Sequence, residues 1–527
     1  MCWGGIIDLS FARPSQRMSL NFTFGRSVTG LVAGSLSSPH NFIRQPRRPA
    51  CLDGVKALAL LHYSNPARIR LNEMNLETPL EIFSDHFSTI NQRWNLALDQ
   101  CGLDSAVIYA GEQAMYFHDD QGAPFKTNPN LLQWLPQDQI PEHSCLVVRP
   151  GEKPTLLFFR PIDFWHAPTL VPENHGQHLD VELFEDSASL FVRCAELLAG
   201  KTKYAFVGKA QEELLTKLKN CAVNPVDLIH NLYFQRGSKT PYELETMQCA
   251  SNIGVLGHLA AAKAFHEGAT EFEIHLSYLK ATRHNEVGLP YSNIIAQNQH
   301  ASLLHYQHQD RSAAKHLNSL LIDAGGTFNG YASDITRTHV GKNCYSAEAR
   351  DEFAGLVASM DAHQLKLTRA VTKGSHYLNL HKLMHRQLAD LLVKHNLLTC
   401  SAEEAFDQGL TEPFCPHGLG HLLGIQVHDV GGHQKNPKGE QAPPPASYST
   451  LRLTRPLDIN MVLTIEPGLY FIPSLLEPLK KAKAAVNWQK ISALMPFGGI
   501  RIEDNVCVTQ TSSRNLTRDA FALAANA

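Results

Sequence analysis

Two aspartates in the stretch 320–338 are spaced so that their carboxylates could share a cation. The sequence LLIDAGGTFNGYASDITRT predicts two strands joined by a turn at 328–330, with Asp323 on one arm and Asp334, eleven residues later, on the other. A hairpin can bring two such positions side by side on one face. Two carboxylates among apolar neighbours repel unless a cation lies between them, so the pair indicates a divalent metal site. The alternative is one Asp in a turn and another at a strand end.

Four further stretches carry polar side chains where an apolar pattern would otherwise continue. They contain His305 in ASLLHYQH, His417, His421 and His428 in PFCPHGLGHLLGIQVHDVGGH, Glu466 in MVLTIEPGLYF, and Arg501 with Glu503 in FGGIRIEDNVCV. Each has an ordinary alternative, such as a strand end at Glu466 or a surface ion pair between Arg501 and Glu503. His417 and His421 have the spacing of zinc ligands on a helix. The two glycines between them oppose a helix and the Glu of a zincin motif is missing, so this is not a helical zincin motif.

One candidate ligand set contains four carboxylates and one imidazole: Asp323, Asp334, His421, Glu466 and Glu503. A ligand set rich in oxygen with one His is typical of Mn²⁺, Co²⁺ or Mg²⁺ sites and differs from a closed zinc site made of thiolates. Two divalent ions neutralise four carboxylates, whereas one ion leaves a buried negative charge, which is costly. The set therefore predicts a dinuclear centre with ions about 3.5–4 Å apart. A water shared by the two ions would have a lowered pKa and act as the nucleophile of a hydrolytic reaction.

Length and composition exclude several other classes of function. A chain of 527 residues is too long for one compact core, so two domains are expected. The net charge of −3 without a long basic block gives no nucleic-acid surface. No apolar run approaches the roughly 20 residues that cross a bilayer. The eleven cysteines form no C-x-x-C pair, which favours reduced thiols in a reducing compartment such as the cytoplasm.

The chain divides into a leader and two predicted domains. Residues 1–73 hold nine Lys and Arg against three acidic residues and are rich in Ser and Pro. This leader has the composition of a transit peptide, or it is an upstream extension that is disordered or not native. Residues 74–237 alternate strand and helix patterns and predict a smaller mixed-sheet α/β domain. The turn-forming stretch QRGSKTP marks the boundary to a second domain, 238–527.

Two helix starts precede the metal-ligand candidates in the second domain. Thr240 and Thr270 are each followed three residues later by Glu and then by an apolar helical pattern. Strands are expected to follow at 291–297 and 302–305.

The order Asp, Asp, His, Glu, Glu and the motifs around these residues resemble the pita-bread metallopeptidases. The stretches PHGLGHLLGIQVHDVGG, TIEPGLYFI and FGGIRIEDN are most similar to bacterial Xaa-Pro dipeptidases (prolidases), including the organophosphorus acid anhydrolases. The resemblance runs from about residue 74 to the C-terminus. It implies an α/β chain with a C-terminal pita-bread domain of the creatinase and methionine aminopeptidase type. It also implies a homodimer and two divalent ions per subunit, with Mn²⁺ preferred over Co²⁺ or Zn²⁺.

The resemblance further implies a role for each site residue. The ligands of the ions would be Asp323, Asp334, His421, Glu466 and Glu503. Glu466 would also take and return the proton of the attacking water. The groups that hold the scissile carbonyl and the developing charge would be His305, His417 and His428, with Arg501 as an active-site arginine beside Glu503. Arg452 would bind the free carboxylate of a dipeptide. The pocket would also contain Tyr291 and Asp120, the latter supplied by the partner subunit.

The implied function is hydrolysis of dipeptides with a C-terminal proline, with organophosphorus triesters and fluoridates as side substrates. A peptide bond before proline lacks the N–H that ordinary peptidases read. A cationic pocket would reject longer peptides, because they would leave Arg452 buried and unpaired. The Pro-rich stretch 433–450 either carries Arg452 to the pocket or is a plain surface loop. The alternatives are aminopeptidase P activity on longer Xaa-Pro peptides and a non-catalytic pita-bread binding module, which the presence of all five ligands disfavours.

Overall fold

The computed structural model describes residues 80–526 apart from 166, 168 and 172–176. The prediction for the leader, 1–73, lies outside these residues. The described chain forms a mixed-sheet α/β domain followed by a domain of antiparallel sheets and helices, so the predicted fold class is confirmed. The division at 237 and 238 stays a prediction. Within the described residues, none of the helices combines the length and apolarity that a membrane span requires.

The N-terminal domain is built on a six-stranded mixed sheet. Its helices are α1 (Phe83–Gln100), α2 (Pro129–Leu132), α3 (Ser187–Leu197), α4 (Glu212–Lys217) and α5 (Val226–Arg236). Its strands are β1 (Ser105–Tyr109), β2 (Cys145–Val148), β3 (Thr155–Phe159), β4 (Asp180–Phe184), β5 (Tyr204–Val207) and β6 (Ala222–Val223). The strand order is β4-β3-β2-β1-β5-β6, with β2 antiparallel to both neighbours and the other pairs parallel.

Both faces of this sheet are covered, which explains why its strands read as unbroken apolar runs. Ala106 and Ile108 of β1 pack in one core with α1, whereas Val107 and Tyr109 pack in another with α3. Successive side chains of a strand point to opposite faces, so each core receives alternate residues.

The described part of the C-terminal domain contains two three-stranded antiparallel sheets and two short two-stranded antiparallel pairs. Its helices are α6 (Pro241–His266), α7 (Glu271–Thr282), α8 (Ala347–Arg369), α9 (Tyr377–Lys394), α10 (Ala402–Asp407), α11 (Pro473–Lys481), α12 (Trp488–Leu494) and α13 (Leu516–Asn526). Its strands are β7 (Ile294–Gln297), β8 (Ser319–Asp323), β9 (Thr327–Phe328), β10 (Tyr331–Ala332), β11 (Thr336–Val340), β12 (Val462–Ile465), β13 (Gly468–Tyr470), β14 (Gly499–Arg501), β15 (Asp504–Val508) and β16 (Ser513–Asn515). The sheets have the orders β11-β8-β7 and β12-β15-β16, and β10 pairs with β9 as β13 does with β14.

The predicted helix starts are confirmed, but one predicted strand is wrong. Thr240 and Thr270 each close a capping box with the Glu three residues later, at the starts of α6 and α7. The stretch 302–305 is not a strand, because the chain forms a 3₁₀ turn over Asn298–Ser302 and continues as a loop. Asn298 has a φ of +56°, which turns the chain out of β7 before a new strand can pair.

The predicted hairpin that carries the two aspartates is confirmed. Strands β8 and β11 pair antiparallel, with Asp323 opposite Thr336. At the tip, β9 and β10 are joined by Asn329 and Gly330, whose φ angles of +47° and +78° suit the two-residue turn that matches strand twist. Asp334 lies between β10 and β11, two residues before Thr336, the residue opposite Asp323. The hairpin therefore presents both carboxylates at the same end of the sheet.

Apolar packing runs continuously from one domain to the other. The C-terminal domain has its own core around α8, α9 and the strands β12–β15. A second core crosses the boundary, since Trp94 and Trp134 of the N-terminal domain share one cluster with Tyr331 and Leu423. A shared core of this kind fixes the walls of any cleft between the domains.

A buried ion-pair cluster also joins the domains. Asp429 accepts hydrogen bonds from Arg236 Nε at 3.1 Å and from Lys239 Nζ at 2.9 Å. All three side chains are at most 4% exposed. Burial raises the pKa of Asp429, but the charges of Arg236 and Lys239 outweigh it and lower the pKa to about 2. Since Arg236 ends α5 and Asp429 directly follows His428, the cluster ties the interdomain segment to the loop of a candidate site residue.

Asp429→Asn should lower the free energy of unfolding by about 3–5 kcal/mol, because it leaves Arg236 and Lys239 buried without a carboxylate. Urea unfolding at pH 7 measures the change. The folded pKa is depressed, so the contribution is complete above about pH 4 and is lost as pH falls towards 2. Glu440→Gln, which removes the exposed Lys435–Glu440 pair, is the matched control with a much smaller expected change. Equal changes in the two variants would show that burial does not strengthen the Asp429 cluster.

Candidate metal centre

Five side chains from separate segments converge in the C-terminal domain. Asp323 ends β8, and Asp334 lies just before β11. Glu466 follows β12 directly, and Glu503 lies between β14 and β15. His421 belongs to a loop whose backbone pairs with the strand that Glu466 follows, since its carbonyl accepts the Thr464 N–H at 2.9 Å. Strand ends of antiparallel sheets thus hold the acidic residues, and one loop brings the imidazole to them.

The two aspartates share one hydroxyl donor. Tyr291 Oη lies 2.8 Å from Asp323 Oδ1 and 2.5 Å from Asp334 Oδ1. A hydroxyl has one hydrogen, so the two carboxylates compete for it. Asp323 also accepts a hydrogen bond at 2.6 Å from Nη2 of Arg501. The two negative carboxylates therefore receive one positive charge, that of Arg501, from these contacts.

His421 is held in the tautomer of a metal ligand. Its Nδ1–H donates to the Leu422 carbonyl at 2.9 Å, which leaves Nε2 with a lone pair. Nε2 lies 3.4 Å from Asp334 Oδ2 and 3.8 Å from Glu466 Oε1. One ligand atom each of Asp334, His421 and Glu503 lies within 4.8 Å of the others. This separation allows a single cation to contact all three.

The electrostatics of the cluster favour bound cations. Burial raises the pKa of Glu466 to about 7, and the charges of Asp334 and Asp323 add to the effect. Burial and the same neighbours raise the pKa of Glu503 well above its ordinary value. Four carboxylates and one imidazole form an oxygen-rich donor set, so the residues fit divalent cations. Arg501 and Glu503 are 5% and 2% exposed, so the alternative of a surface ion pair is wrong.

A chain of hydrogen bonds connects the centre to His417. Arg501 Nη1 donates to Tyr470 Oη at 2.9 Å, and Tyr470 lies 2.9 Å from His417 Nε2. Nδ1 of His417 donates to the Gly418 carbonyl at 2.8 Å. Burial and the charge of Arg501 lower the pKa of His417 to about 4, so the imidazole is neutral and its Nε2 accepts from Tyr470. The chain fixes the orientation of His417 relative to Asp323, which Arg501 also contacts.

Several residues of the centre were absent from the sequence predictions. The Thr336 hydroxyl donates to Glu503 Oε2 at 2.6 Å, and Asn505 Oδ1 accepts the Asp334 N–H at 3.1 Å. Tyr470 joins Arg501 to His417 as described above. Thr336 and Asn505 each lie two positions beyond a predicted ligand, so strand alternation would have placed them on the same face. Tyr470 lies inside a motif that was recognised only for its Glu.

A cleft of about 1920 Å³ opens beside the centre and is lined by both domains. Its lining includes Tyr291, Asp323, Asp334, His305 and His428. The ring of His428 meets that of His421 edge to face at 4.4 Å between centroids. Two of the three predicted substrate-side histidines therefore line the cleft, and His417 lies at the centre, with its Nδ1 3.8 Å from Glu466 Oε2.

The predicted carboxylate-binding and partner-supplied residues have different positions. Burial and the charges of His421 and Arg452 lower the pKa of His428 to about 4. Arg452 is exposed and follows the loop 433–450, in which one 3₁₀ turn, Ala446–Tyr448, was found. Asp120 is exposed on a loop outside the cleft lining of the described chain. Within one subunit the structure thus does not bring Asp120 to the centre.

Comparisons with known proteins agree on one family. The sequence profile of Metallopeptidase family M24 matches residues 245–510, and that of the Xaa-Pro dipeptidase N-terminal domain matches residues 81–234. The Xaa-Pro dipeptidase of Pseudoalteromonas haloplanktis is 42% identical over 442 residues, which cover 83% of this chain and 98% of the relative. That of Shigella flexneri serotype 5b is 41% identical over 448 residues, with coverage of 84% and 99%. The chain belongs to the Xaa-Pro dipeptidases of metallopeptidase family M24.

Solved structures show that this M24 chain has the fold of more distant relatives. Aminopeptidase PepP of Pseudomonas aeruginosa matches with a TM-score of 0.63 at 22% identity, covering 84% of this chain and 98% of the other. Zinc-substituted aminopeptidase P of Escherichia coli, solved with product, matches with a TM-score of 0.62 at 23% identity and the same coverage. At this identity the likeness concerns the fold alone, and it confirms the predicted pita-bread architecture.

Divalent ions should stabilise this protein, because they neutralise its buried carboxylates. Mn²⁺ at 100 times its Kd should raise the free energy of unfolding by about 2.7 kcal/mol, and EDTA should reverse the gain. Asp334→Asn should remove most of the gain, whereas the exposed Asp390→Asn on α9 should keep it. Thermal unfolding with and without metal measures both. A full metal response in Asp334→Asn would mean that the ions bind elsewhere.

Proposed function

We propose that the protein is a metal-dependent Xaa-Pro dipeptidase that hydrolyses the bond between a residue Xaa and a C-terminal proline. Two divalent ions, Mn²⁺ in preference to Co²⁺ or Zn²⁺, would be held by Asp323, Asp334, His421, Glu466 and Glu503. The observation that supports this most strongly is the convergence of these side chains beside a cleft. It occurs in a chain about 40% identical to Xaa-Pro dipeptidases over nearly their whole length.

The chain's own residues would move the protons of the reaction. Bound ions would lower the pKa of a water and polarise the scissile carbonyl. Glu466 has one oxygen 3.8 Å from His421 Nε2 and the other 3.8 Å from His417 Nδ1. It would take a proton from the attacking water and return it to the prolyl nitrogen, which must gain a hydrogen to leave as an amine.

Histidines at the edge of the centre would hold the substrate carbonyl. His305 and His428 line the cleft, as do Asp323 and Asp334. An imidazole N–H aimed at the carbonyl oxygen would stabilise the negative charge that develops there. The hydrogen bonds of Arg501 and Tyr470 would keep His417 in place during this step.

Arg452 would set the preference for dipeptides. Its guanidinium contributes to the electrostatics of His428 and matches a free carboxylate, to which it can donate two parallel hydrogen bonds. A longer peptide would place an amide there and leave the charge unpaired. The loop 433–450 leads directly to Arg452, which supports its assignment as the carrier of that residue over a plain surface loop.

We also propose a cytoplasmic homodimer in which Asp120 enters the partner's cleft. The loop of Asp120 exposes Met115, Tyr116 and Phe117, and the Phe117 side chain is 92% exposed. Clustered apolar side chains of this size mark interaction surfaces. Within the described chain the cysteines form no disulfide, in keeping with a reducing compartment.

Three other functions have less support. Aminopeptidase P activity on longer peptides rests on relatives that share the fold at 22–23% identity, whereas the dipeptidases share 40–42%. Organophosphorus hydrolysis would be a side activity, since the same nucleophile can attack phosphorus. A non-catalytic binding module is disfavoured because all five ligand side chains are present and close together.

Exhaustive chelation should abolish Ala-Pro hydrolysis, and Mn²⁺ or Co²⁺ should restore it, because the nucleophile depends on the ions. Release of free proline measures the activity. The same assay with Ala-Pro-Ala and with a phosphotriester ranks the alternatives. Undiminished hydrolysis by metal-free protein would refute the metal mechanism, and a faster rate with Ala-Pro-Ala would favour aminopeptidase P activity.

Arg452→Ala should raise KM for Ala-Pro by about 10–100-fold, which corresponds to the roughly 1.5–3 kcal/mol of a charged hydrogen bond. The metal content of the variant should not change. The ratio of kcat/KM for Ala-Pro to that for Ala-Pro-Ala should decrease. Arg369→Ala, at an exposed arginine of α8, is the control. Steady-state kinetics and metal analysis give both readouts. An unchanged KM would remove Arg452 from the carboxylate site.

A further inference from the structure

A buried carboxylate outside the metal centre carries four hydrogen bonds. Glu271 is the first residue of α7, and its side chain is 1% exposed. Its Oε1 accepts from the Gln297 N–H and from His300 Nδ1, both at 2.7 Å. Its Oε2 accepts from the Tyr306 hydroxyl and from the Asp310 N–H, both at 2.7 Å. The four donors saturate the two oxygens.

These donors bracket the loop 298–309, which contains His305. Gln297 ends β7 at the start of the loop, and Asp310 follows its end. The Asp310 carbonyl also accepts the N–H of Phe272, the next residue of α7, at 3.2 Å. Both ends of the loop are therefore bonded to the first turn of one helix.

Two of the donors lie inside the loop next to the candidate catalytic histidine. Tyr306 is the neighbour of His305 in sequence, and its ring stacks on that of His300 at 4.4 Å between centroids. Glu271 accepts hydrogen bonds from both of these side chains, so it fixes the backbone on either side of His305. The loop has no strand partner after the 3₁₀ turn in the described chain, so these side-chain bonds take the place of a sheet.

We propose that Glu271 is a positioning residue of the dipeptidase: it clasps the loop 298–309 so that His305 faces the cleft beside the metal centre. The proposal rests on the proposed function, because His305 would act on the substrate of that reaction. Glu271 touches neither the substrate nor the metal ligands and acts only through the loop. Charged hydrogen bonds suit this role, since they are shorter and stronger than neutral ones.

The same helical turn supplies a matched control. Glu273 accepts the Thr270 N–H at 2.9 Å in the capping box of α7 and is exposed. Both Glu271→Gln and Glu273→Gln replace a carboxylate by an amide near the helix start. In Glu271→Gln, unlike Glu273→Gln, the new amide NH₂ would face N–H or O–H donors of the loop and could not accept their hydrogen bonds. Glu273→Gln therefore measures how much the cap of α7 contributes to kcat/KM when the hydrogen bonds to the loop are intact.

The test is a double-mutant cycle on the full-length, Mn²⁺-loaded protein with Ala-Pro. Glu271→Gln should lower kcat/KM by about 10–100-fold, because a displacement of about 1 Å in a catalytic group has this effect. In the His305→Ala background the same substitution should change kcat/KM by less than about twofold. Glu273→Gln should stay within about twofold of the wild type, and metal content should be unchanged in all variants.

Hydrogen exchange tests the positioning without relying on activity. Amides of 298–310 should exchange faster in Glu271→Gln, whereas those of the ligand hairpin, 320–338, should keep their rates. If Glu271→Gln does not fold, Tyr306→Phe removes one of the four bonds and should show the same pattern on a smaller scale. A wild type without Xaa-Pro activity would refute the proposed function, while the exchange pattern would still decide whether Glu271 clasps the loop. Equal losses with and without His305, unchanged exchange, or lost metal would overturn the proposal.

Discussion

Mutual repulsion among buried carboxylates is the constraint around which this molecule is arranged. Burial and the charges of neighbouring carboxylates raise the pKa of Asp323, Glu466 and Glu503, whereas the contact with His421 lowers the pKa of Asp334 despite burial. The protein partly offsets the repulsion with one shared tyrosine hydroxyl, one guanidinium and one imidazole. The remainder calls for cations, and the same cations would make the site a hydrolytic one. Binding of metal and chemistry are thus two consequences of a single charge arrangement.

The surrounding fold keeps this arrangement from relaxing. Asp504, which follows Glu503, accepts hydrogen bonds from Arg337 at 2.7 Å and from Arg518 at 2.8 Å. These two cations hold the pKa of Asp504 well below its usual range despite burial. The strand that carries Glu503 is therefore anchored from the side away from the centre. The Asp429 cluster likewise fixes the residue that follows His428, so buried ion pairs hold both segments.

Features that depend on near neighbours in sequence could be predicted, and those that depend on distant partners could not. The Asn329-Gly330 turn and the capping boxes at Thr240 and Thr270 follow local rules, and the structure contains all of them. The ligand set came from polar residues at strand ends, where an apolar pattern breaks. The clasp by Glu271 was invisible, because its partners lie 26 to 39 residues away and include backbone groups. The same loop misled the strand prediction at 302–305, since its apolar residues pack without forming a ladder. Asp120 depends on a second subunit, which one chain cannot supply.

Diffraction can test directly whether two ions bind within the cluster of carboxylates. Crystals of the Mn²⁺-loaded protein, measured at the manganese absorption edge, would locate the ions by anomalous scattering. We expect two peaks about 3.5–4 Å apart, coordinated by Asp323, Asp334, His421, Glu466 and Glu503. A single peak, or peaks coordinated by other side chains, would contradict the account.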